Sequence, residues 1–284
     1  MEKIAVVTDT GSNLSFVQAK ELGIYLLPLQ ITIDETTYQD TLEISTQDIY
    51  NELANGKMPK TSMAAYQKIY DLFEELKKEY DTIFAVPLTN GLSTNASTMQ
   101  SIARELEMNV HVIDMYATCA LEKHVAIWIK KLVDEHKSSE EILKIIQPAI
   151  DESNSLILVK NLQHLKRGGR LTPMAAALAG LLKIYPVLHI NKSTEGRIDV
   201  LNKVRTEKRA DAYAIDKIMD DIDIQHTHIY IIHSNFLEGA DHFKKCFIEK
   251  GVPEQNIHID YISSVIAVHT GLGCIAIQYI REEN

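Results

Sequence analysis

The chain has 284 residues, 45% of them apolar, and a formal net charge of −10, which is enough apolar material for one large core or two moderate ones. A membrane-spanning helix is excluded, because the longest apolar candidate, MAAALAGLL at 174–182, is bounded by Pro173 and Lys183 and falls short of the roughly 20 residues that a span needs. Residues 1–155 carry 24 acidic against 13 basic side chains, whereas 156–284 carry 15 against 16, so nucleic acid, which requires a broad basic face, is excluded as a partner.

The amino terminus, MEKIAVVTDTGS, enters a strand pattern at once and lacks the basic, apolar and small-residue regions of a secretory signal. A cytoplasmic protein is therefore expected. IAVVTD (4–9), IYLLPLQITI (24–33), TIFAVPL (82–88) and VHVID (110–114) are predicted strands, each dominated by β-branched or apolar residues. Between them, Ala65, Ile69, Leu72, Phe73, Leu76 and Tyr80 recur in steps of three and four, the spacing of an amphipathic helix. Ser138 with Glu141 three residues on is a capping-box start to another helix, continued by Ile142, Ile145, Ile146 and Ile150. Strand and helix alternating in this way predicts a parallel sheet with helices on both faces, whose ligands sit beyond the carboxyl ends of the strands.

From about residue 155 the pattern changes. LILVK (156–160), YPVLHI (185–190), IDVLNKV (198–204), HIYIIHS (228–234) and HIDYI (258–262) are predicted strands, with GLGCIAIQYI (271–280) a further element. The short polar link NKSTEGR between the second and third of these, with Gly196 in it, suits a hairpin. The fold class is thus α/β with two lobes, a parallel one over 1–155 and a mixed or antiparallel one over 156–284. Cys119, Cys246 and Cys274 are odd in number and widely spaced, which predicts free thiols in a reducing compartment.

Two clusters of neutral hydrogen-bonding groups follow apolar or loop segments: TNGLSTNAST at 89–98 and PKTSMAAY at 59–66. Each is open to two readings. Ser93 or Thr94, and Thr61 or Ser62, can cap the helix that follows; alternatively the two clusters together form a pocket for an anion. Of the eleven histidines, none has metal-ligand spacing, and no HExxH or Cys/His cluster occurs. His233 is expected to be structural, while His269 lies beside a Gly-containing turn, AVHTGLG, where backbone can approach a ligand closely. GLSTN lacks the second glycine of a nucleophile elbow, and neither a phosphate loop nor a dinucleotide fingerprint is present. No cofactor is expected.

The chain resembles the DegV family of bacterial fatty-acid-binding proteins. The resemblance rests on AVVTDTGSNL at the start, PLQITIDETTYQD at 28–40, KTS at 60–62, TNGLS at 89–93, HLKRGGRLT at 164–172, LLKIYPVLHI at 181–190, KVRTEKRA at 203–210 and HTGLG at 269–273. It implies a non-catalytic lipid carrier that holds a long-chain fatty acid between two lobes. The tail would lie in an apolar tunnel and the carboxylate would meet Thr61, Ser62, Ser93 and His269. The resemblance also implies that Arg205 and Arg170 face a fatty acid kinase subunit that phosphorylates the presented carboxyl group. A monomer is expected. Where the family commonly has TSQPS, SGTY and HTGPG, this chain has TSMAA, STNA and HTGLG, so Met63 and Asn95 are expected to reshape the pocket. The rival reading is an enzyme with Ser93 as nucleophile and His233 or His269 as base, and a third is a protein-interaction module.

Overall fold

The computed structural model describes residues 2–181 and 183–282; Leu182, which falls within the LLKIYPVLHI motif, lies outside the described residues, as do Met1, Glu283 and Asn284. In chain order the strands are β1 (Ile4–Asp9), β2 (Tyr25–Leu27), β3 (Gln30–Ile33), β4 (Thr36–Gln39), β5 (Lys60–Ser62), β6 (Thr82–Val86), β7 (Asn109–Val112), β8 (Asn154–Leu158), β9 (Tyr185–Ile190), β10 (Asp199–Val204), β11 (Thr227–His233), β12 (Ile257–Tyr261) and β13 (Ile275–Arg281).

The first half builds a four-stranded parallel sheet in the order β2-β1-β6-β7. β1 and β6 are buried at every position, as strands with helices on both faces must be. Ile4, Val6, Phe84 and Val86 pack with the helices Ala120–Asp134 and Ser139–Glu152. The alternate residues Ala5, Val7, Ile83 and Ala85 pack with Tyr66–Leu76 and Asn95–Glu105 on the other face. The Ser138–Glu141 capping box forms as its spacing predicts.

One predicted strand is two. The run at 24–33 breaks at Pro28, which has no N–H to give a ladder; β2 belongs to the parallel sheet and β3 to a separate antiparallel sheet, β4-β3-β5. β5 is the KTS motif itself, so Thr61 and Ser62 are strand residues. The helix beyond them starts at Tyr66 and has no side-chain cap, so neither residue serves as one.

The second half forms a six-stranded mixed sheet in the order β10-β9-β8-β13-β11-β12, antiparallel except for the parallel pair β11 and β12. The expected hairpin is β9 to β10, with Gly196 at φ +70° in its turn. GLGCIAIQYI supplies β13, which is central and pairs with both β8 and β11.

A buried carboxylate organises the carboxyl end of the parallel sheet. Asp9, the last residue of β1, accepts hydrogen bonds from Gly11 N–H (2.8 Å), Leu88 N–H (2.9 Å) and Asn95 Nδ2 (2.6 Å). Beside it, burial and then the Asp9 charge raise the Glu122 carboxyl well above its ordinary range, so Glu122 keeps its proton and hydrogen-bonds Asp9. These bonds fix the exit of β6 and the start of the helix Asn95–Glu105 in one arrangement. Removing the proton donor leaves a buried charge short of one partner, which costs roughly 1–3 kcal/mol. Glu122→Ala should lose about that much stability in urea unfolding, while Glu122→Gln, which keeps a donor and the shape, should lose clearly less.

Candidate functional site

Beyond the carboxyl ends of β1 and β6 lies a cleft of about 410 Å³. One wall is the loop 88–94 that follows β6, and a second is β5. The third comes from the other half of the chain: Arg170, Ile198 and the helix Ser264–Thr270. The site therefore depends on segments more than 200 residues apart being brought together.

Two groups singled out from the sequence meet here. Thr61 Oγ1 lies 2.7 Å from His269 Nε2. His269 lies in the last turn of the helix Ser264–Thr270, and Gly168 lies against its ring; a Cβ on Gly168 would come within 2.9 Å of Nδ1. The KRGGR motif thereby acquires a local explanation. Gly168 gives His269 room, Gly169 adopts φ +73° to end the helix Leu162–Gly168, and Arg170 then turns into the cleft, donating to the Gly168 carbonyl at 2.7 Å. Burial, with the Arg170 charge adding to it, lowers the His269 pKa to about 4. His269 is thus a neutral hydrogen-bonding group at pH 7, and Arg170 is the cation at the mouth.

The remaining predicted residues are placed differently. Ser62, next to Thr61 on β5, also borders the cleft, but its hydroxyl is already engaged, donating to Gln30 Oε1 at 3.1 Å. Ser93 lines the cleft, and its Oγ accepts from Asn95 N–H at 3.2 Å. The helix Asn95–Glu105 begins after Thr94, which makes no side-chain cap. Met63 lines the cleft, and its sulfur accepts from Thr94 and Thr98. Asn95 does not shape the cleft as the departure from the family pattern suggested; it is fully buried and bonded to Asp9. Arg205 is exposed, lies after the end of β10 and is outside the cleft lining.

Behind the mouth the lining turns apolar. Leu92, Ile198, Ile266 and Thr270 are shared with a narrow inner chamber of about 30 Å³ that runs past Ile157, Ile190 and Ile232. Gln278 closes its far end with every amide group engaged: Nε2 donates to the Thr118 carbonyl (2.9 Å) and Ser155 Oγ (3.0 Å), and Oε1 accepts from Ala120 N–H (3.0 Å) and Leu121 N–H (3.3 Å). The arrangement is a polar mouth, a greasy interior and a satisfied polar floor.

Supporting residues that the sequence did not announce hold this geometry. The buried Asp40 carboxylate, raised to about 6 by burial, accepts from Ser264 Oγ and so anchors the start of the helix that carries His269. His164 Nε2 bonds the Val268 carbonyl at 2.9 Å, tying the helix Leu162–Gly168 to the same element. Gly91 and Gly196 touch across the two halves: a Cβ on Gly91 would come within 2.1 Å of the Gly196 backbone, and one on Gly196 within 2.0 Å of Thr89 Oγ1. Gly196 was legible as a turn residue, but its contact with the 89–98 loop joins distant segments and carries no local signal.

Comparison with known proteins places this geometry in a family. The DegV family, described as "Uncharacterised protein, DegV family", matches residues 3–282. A DegV domain-containing protein of Halalkalibacterium halodurans is 31% identical, with all of both chains covered. Among solved structures, a protein described as a fatty acid binding DegV family protein from Streptococcus agalactiae superposes with a TM-score of 0.91 at 29% identity, over 100% of each chain. DegV of Bacillus subtilis, described as a fatty acid binding protein, gives 0.86 at 26% identity, over 99% of this chain and 100% of that one.

The depressed His269 pKa has a consequence for stability. The folded value, about 4, lies below the ordinary 6.5, so the contribution of neutral His269 is complete above pH 6.5 and is lost as pH falls from 6.5 toward 4. The stability difference between the unaltered protein and His269→Gln, from urea unfolding, should shrink across that interval; a constant difference would contradict the assignment.

Proposed function

The chain belongs to the DegV family, and from that premise we propose that it binds a long-chain fatty acid, with the carboxylate at the cleft mouth and the tail in the apolar interior. One observation carries this reading: Thr61 and His269, 208 positions apart, meet at 2.7 Å at the open end of a cleft whose depths are apolar. The solved relatives described as fatty acid binding proteins support it. Each buried methylene contributes about 0.8 kcal/mol, so some fifteen would offer on the order of 12 kcal/mol before the costs of association. The tail supplies affinity and the head group supplies position. Thr61, Ser93 and neutral His269 offer single hydrogen bonds, and Arg170 adds a charge whose fork is partly engaged by the Gly168 carbonyl. Such a set orients a carboxylate without the bidentate grip of a free arginine.

The inner chamber is narrow, about 30 Å³, so entry of a long tail requires side chains of its lining to move. We place the chain as the carrier in a two-protein system in which a separate kinase supplies ATP, metal and phosphoryl transfer. The exposed Arg205 supports this, since it stands outside the cleft and makes no ion pair among the described residues. The rival serine-nucleophile reading needs a base on Ser93. His269 is engaged by Thr61, and the buried His233 accepts from Phe236 N–H through Nδ1; the Ser93 hydroxyl has no histidine partner among the described residues.

Lipid extracted from the purified protein should contain a fatty acid in near-stoichiometric amount by mass spectrometry. Thr61→Ala with Ser93→Ala removes two hydrogen bonds to a charged acceptor, each worth about 1.5 kcal/mol or more, so affinity for a fluorescent fatty acid should fall roughly a hundredfold. Unchanged affinity would remove the head-group assignment. Arg205→Ala should leave fatty acid affinity within about twofold yet slow acyl phosphate formation by a cognate kinase; loss of binding instead would place Arg205 in the pocket.

A further inference from the structure

A second cavity, of about 360 Å³, lies in the other half of the molecule and shares no lining residue with the cleft. The six-stranded sheet separates them. Ile157 and Ala276 border the inner chamber, while their chain neighbours Leu158 and Ile275 border this cavity, because successive strand residues face opposite sides of a sheet. The helices Glu207–Asp221 and Leu237–Glu249 complete its walls.

Its floor is apolar, formed by Leu158, Pro186, Ala210, Phe243 and Ile275. Its charges are unbalanced. Lys160 is the one lysine or arginine in the lining, against the carboxylates of Glu207, Asp211 and Glu238. Lys160 is already committed: it pairs with Glu207, and its ammonium lies 4.8 Å from the centre of the Phe236 ring. Two glycines make this packing feasible, since a Cβ on Gly273 would meet the Lys160 stem at 2.8 Å and one on Gly239 would meet the Phe236 ring at 2.3 Å. Asp211 stands against this apolar surface with no hydrogen bond or ion pair among the described residues. Burial raises its pKa, and the charges of His242 and Lys160, which line the same cavity, only partly offset the effect.

We propose that this cavity is a second ligand site, which takes a small organic cation: an ammonium or guanidinium group carried on a compact apolar stem. The stem would lie over Phe243, Pro186 and Ile275, and the cation would meet Asp211 with Glu238 at the rim. An anion is disfavoured, because it would meet two carboxylates without a counter-charge and the cavity's one ammonium is already paired. A purely apolar ligand would cover Asp211 and leave it desolvated without a partner, which is costly. The cavity's size is within the range of small-molecule sites. The inference does not rest on fatty acid binding.

The test is an amide NMR titration of the full chain with phenethylamine, its neutral analogue 2-phenylethanol and the anion 3-phenylpropionate. Phenethylamine should shift the Ala210, Gly239 and Gly273 resonances saturably, with the alcohol at least tenfold weaker and the anion without effect on these residues. Asp211→Asn should reduce the amine to the alcohol's affinity while fatty acid titration of the cleft stays unchanged. Equal binding of amine and alcohol by the unaltered protein would overturn the proposal, as would a preference for the amine that survives in Asp211→Asn. Because the first comparison uses the unaltered protein, it decides the matter even if the variant folds poorly, and failure of the fatty acid assignment would leave it untouched.

Discussion

The arrangement depends on a carboxylate buried where water cannot reach it. Asp9 is fully enclosed at the end of β1, and an ion in that place is tolerated only when donors surround it. The donors come from three separate places: the turn after β1, the loop that follows β6 and the first residue of the helix Asn95–Glu105. Satisfying one charge therefore sets the path of the chain between 88 and 95, which is the loop that forms a wall of the cleft. Glu122 completes the shell from the helix on the opposite face of the sheet, and Thr8, 3.2 Å from Glu122 and donating to the Val86 carbonyl, extends the network along β1. Replacing any one partner exposes the same buried charge, so the network holds or fails as a unit.

The second half of the molecule is fastened to this frame by polar groups as well as by packing. Tyr50 donates to the Ile262 carbonyl at 2.6 Å, just before the helix that carries His269, and Ser264 at the start of that helix donates to Asp40. The Thr61–His269 contact is the outermost member of the series. It closes between a short strand of the first half and a helix end of the second. A glycine at 91 facing a glycine at 196 lets the two backbones approach where a Cβ on either residue would collide with its neighbour.

Much of this was legible in the sequence and some was not, for physical reasons. The parallel sheet was readable because strands buried on both faces must be continuous apolar runs, as IAVVTD and TIFAV are. The polar clusters at 59–66 and 89–98 left both a cap and a pocket open, because whether they meet depends on the sheet; in the structure both contribute to the lining of one cleft. KTS was not read as a strand, since three polar residues satisfy neither strand nor helix periodicity; only pairing with β3 makes them one and removes them from the cap position. That pairing then gives Thr61 and Ser62 different partners, His269 for the first and Gln30 for the second, a distinction that adjacency in sequence conceals. Asp9 and Glu122 gave no signal because their meaning lies in a contact across 113 positions, and Asn95 resembled a pocket residue while serving Asp9.

The same period-two rule explains how one sheet can border two unrelated cavities. β8 and β13 sit at the centre of the six-stranded sheet, where every side chain must be buried on one face or the other. Ile157 and Ala276 lie on the face toward the cleft, Leu158 and Ile275 on the face toward the two helices. A one-residue slip in either strand would exchange both sets at once, so the register that builds the cleft wall also builds the second cavity. What differs is what surrounds each face. Toward the cleft, the sheet meets neutral donors and Arg170; toward the helices, it meets acidic side chains and a lysine already paired. The sheet supplies the same apolar floor to both, and the loops and helix starts around it decide which charge each cavity can accept.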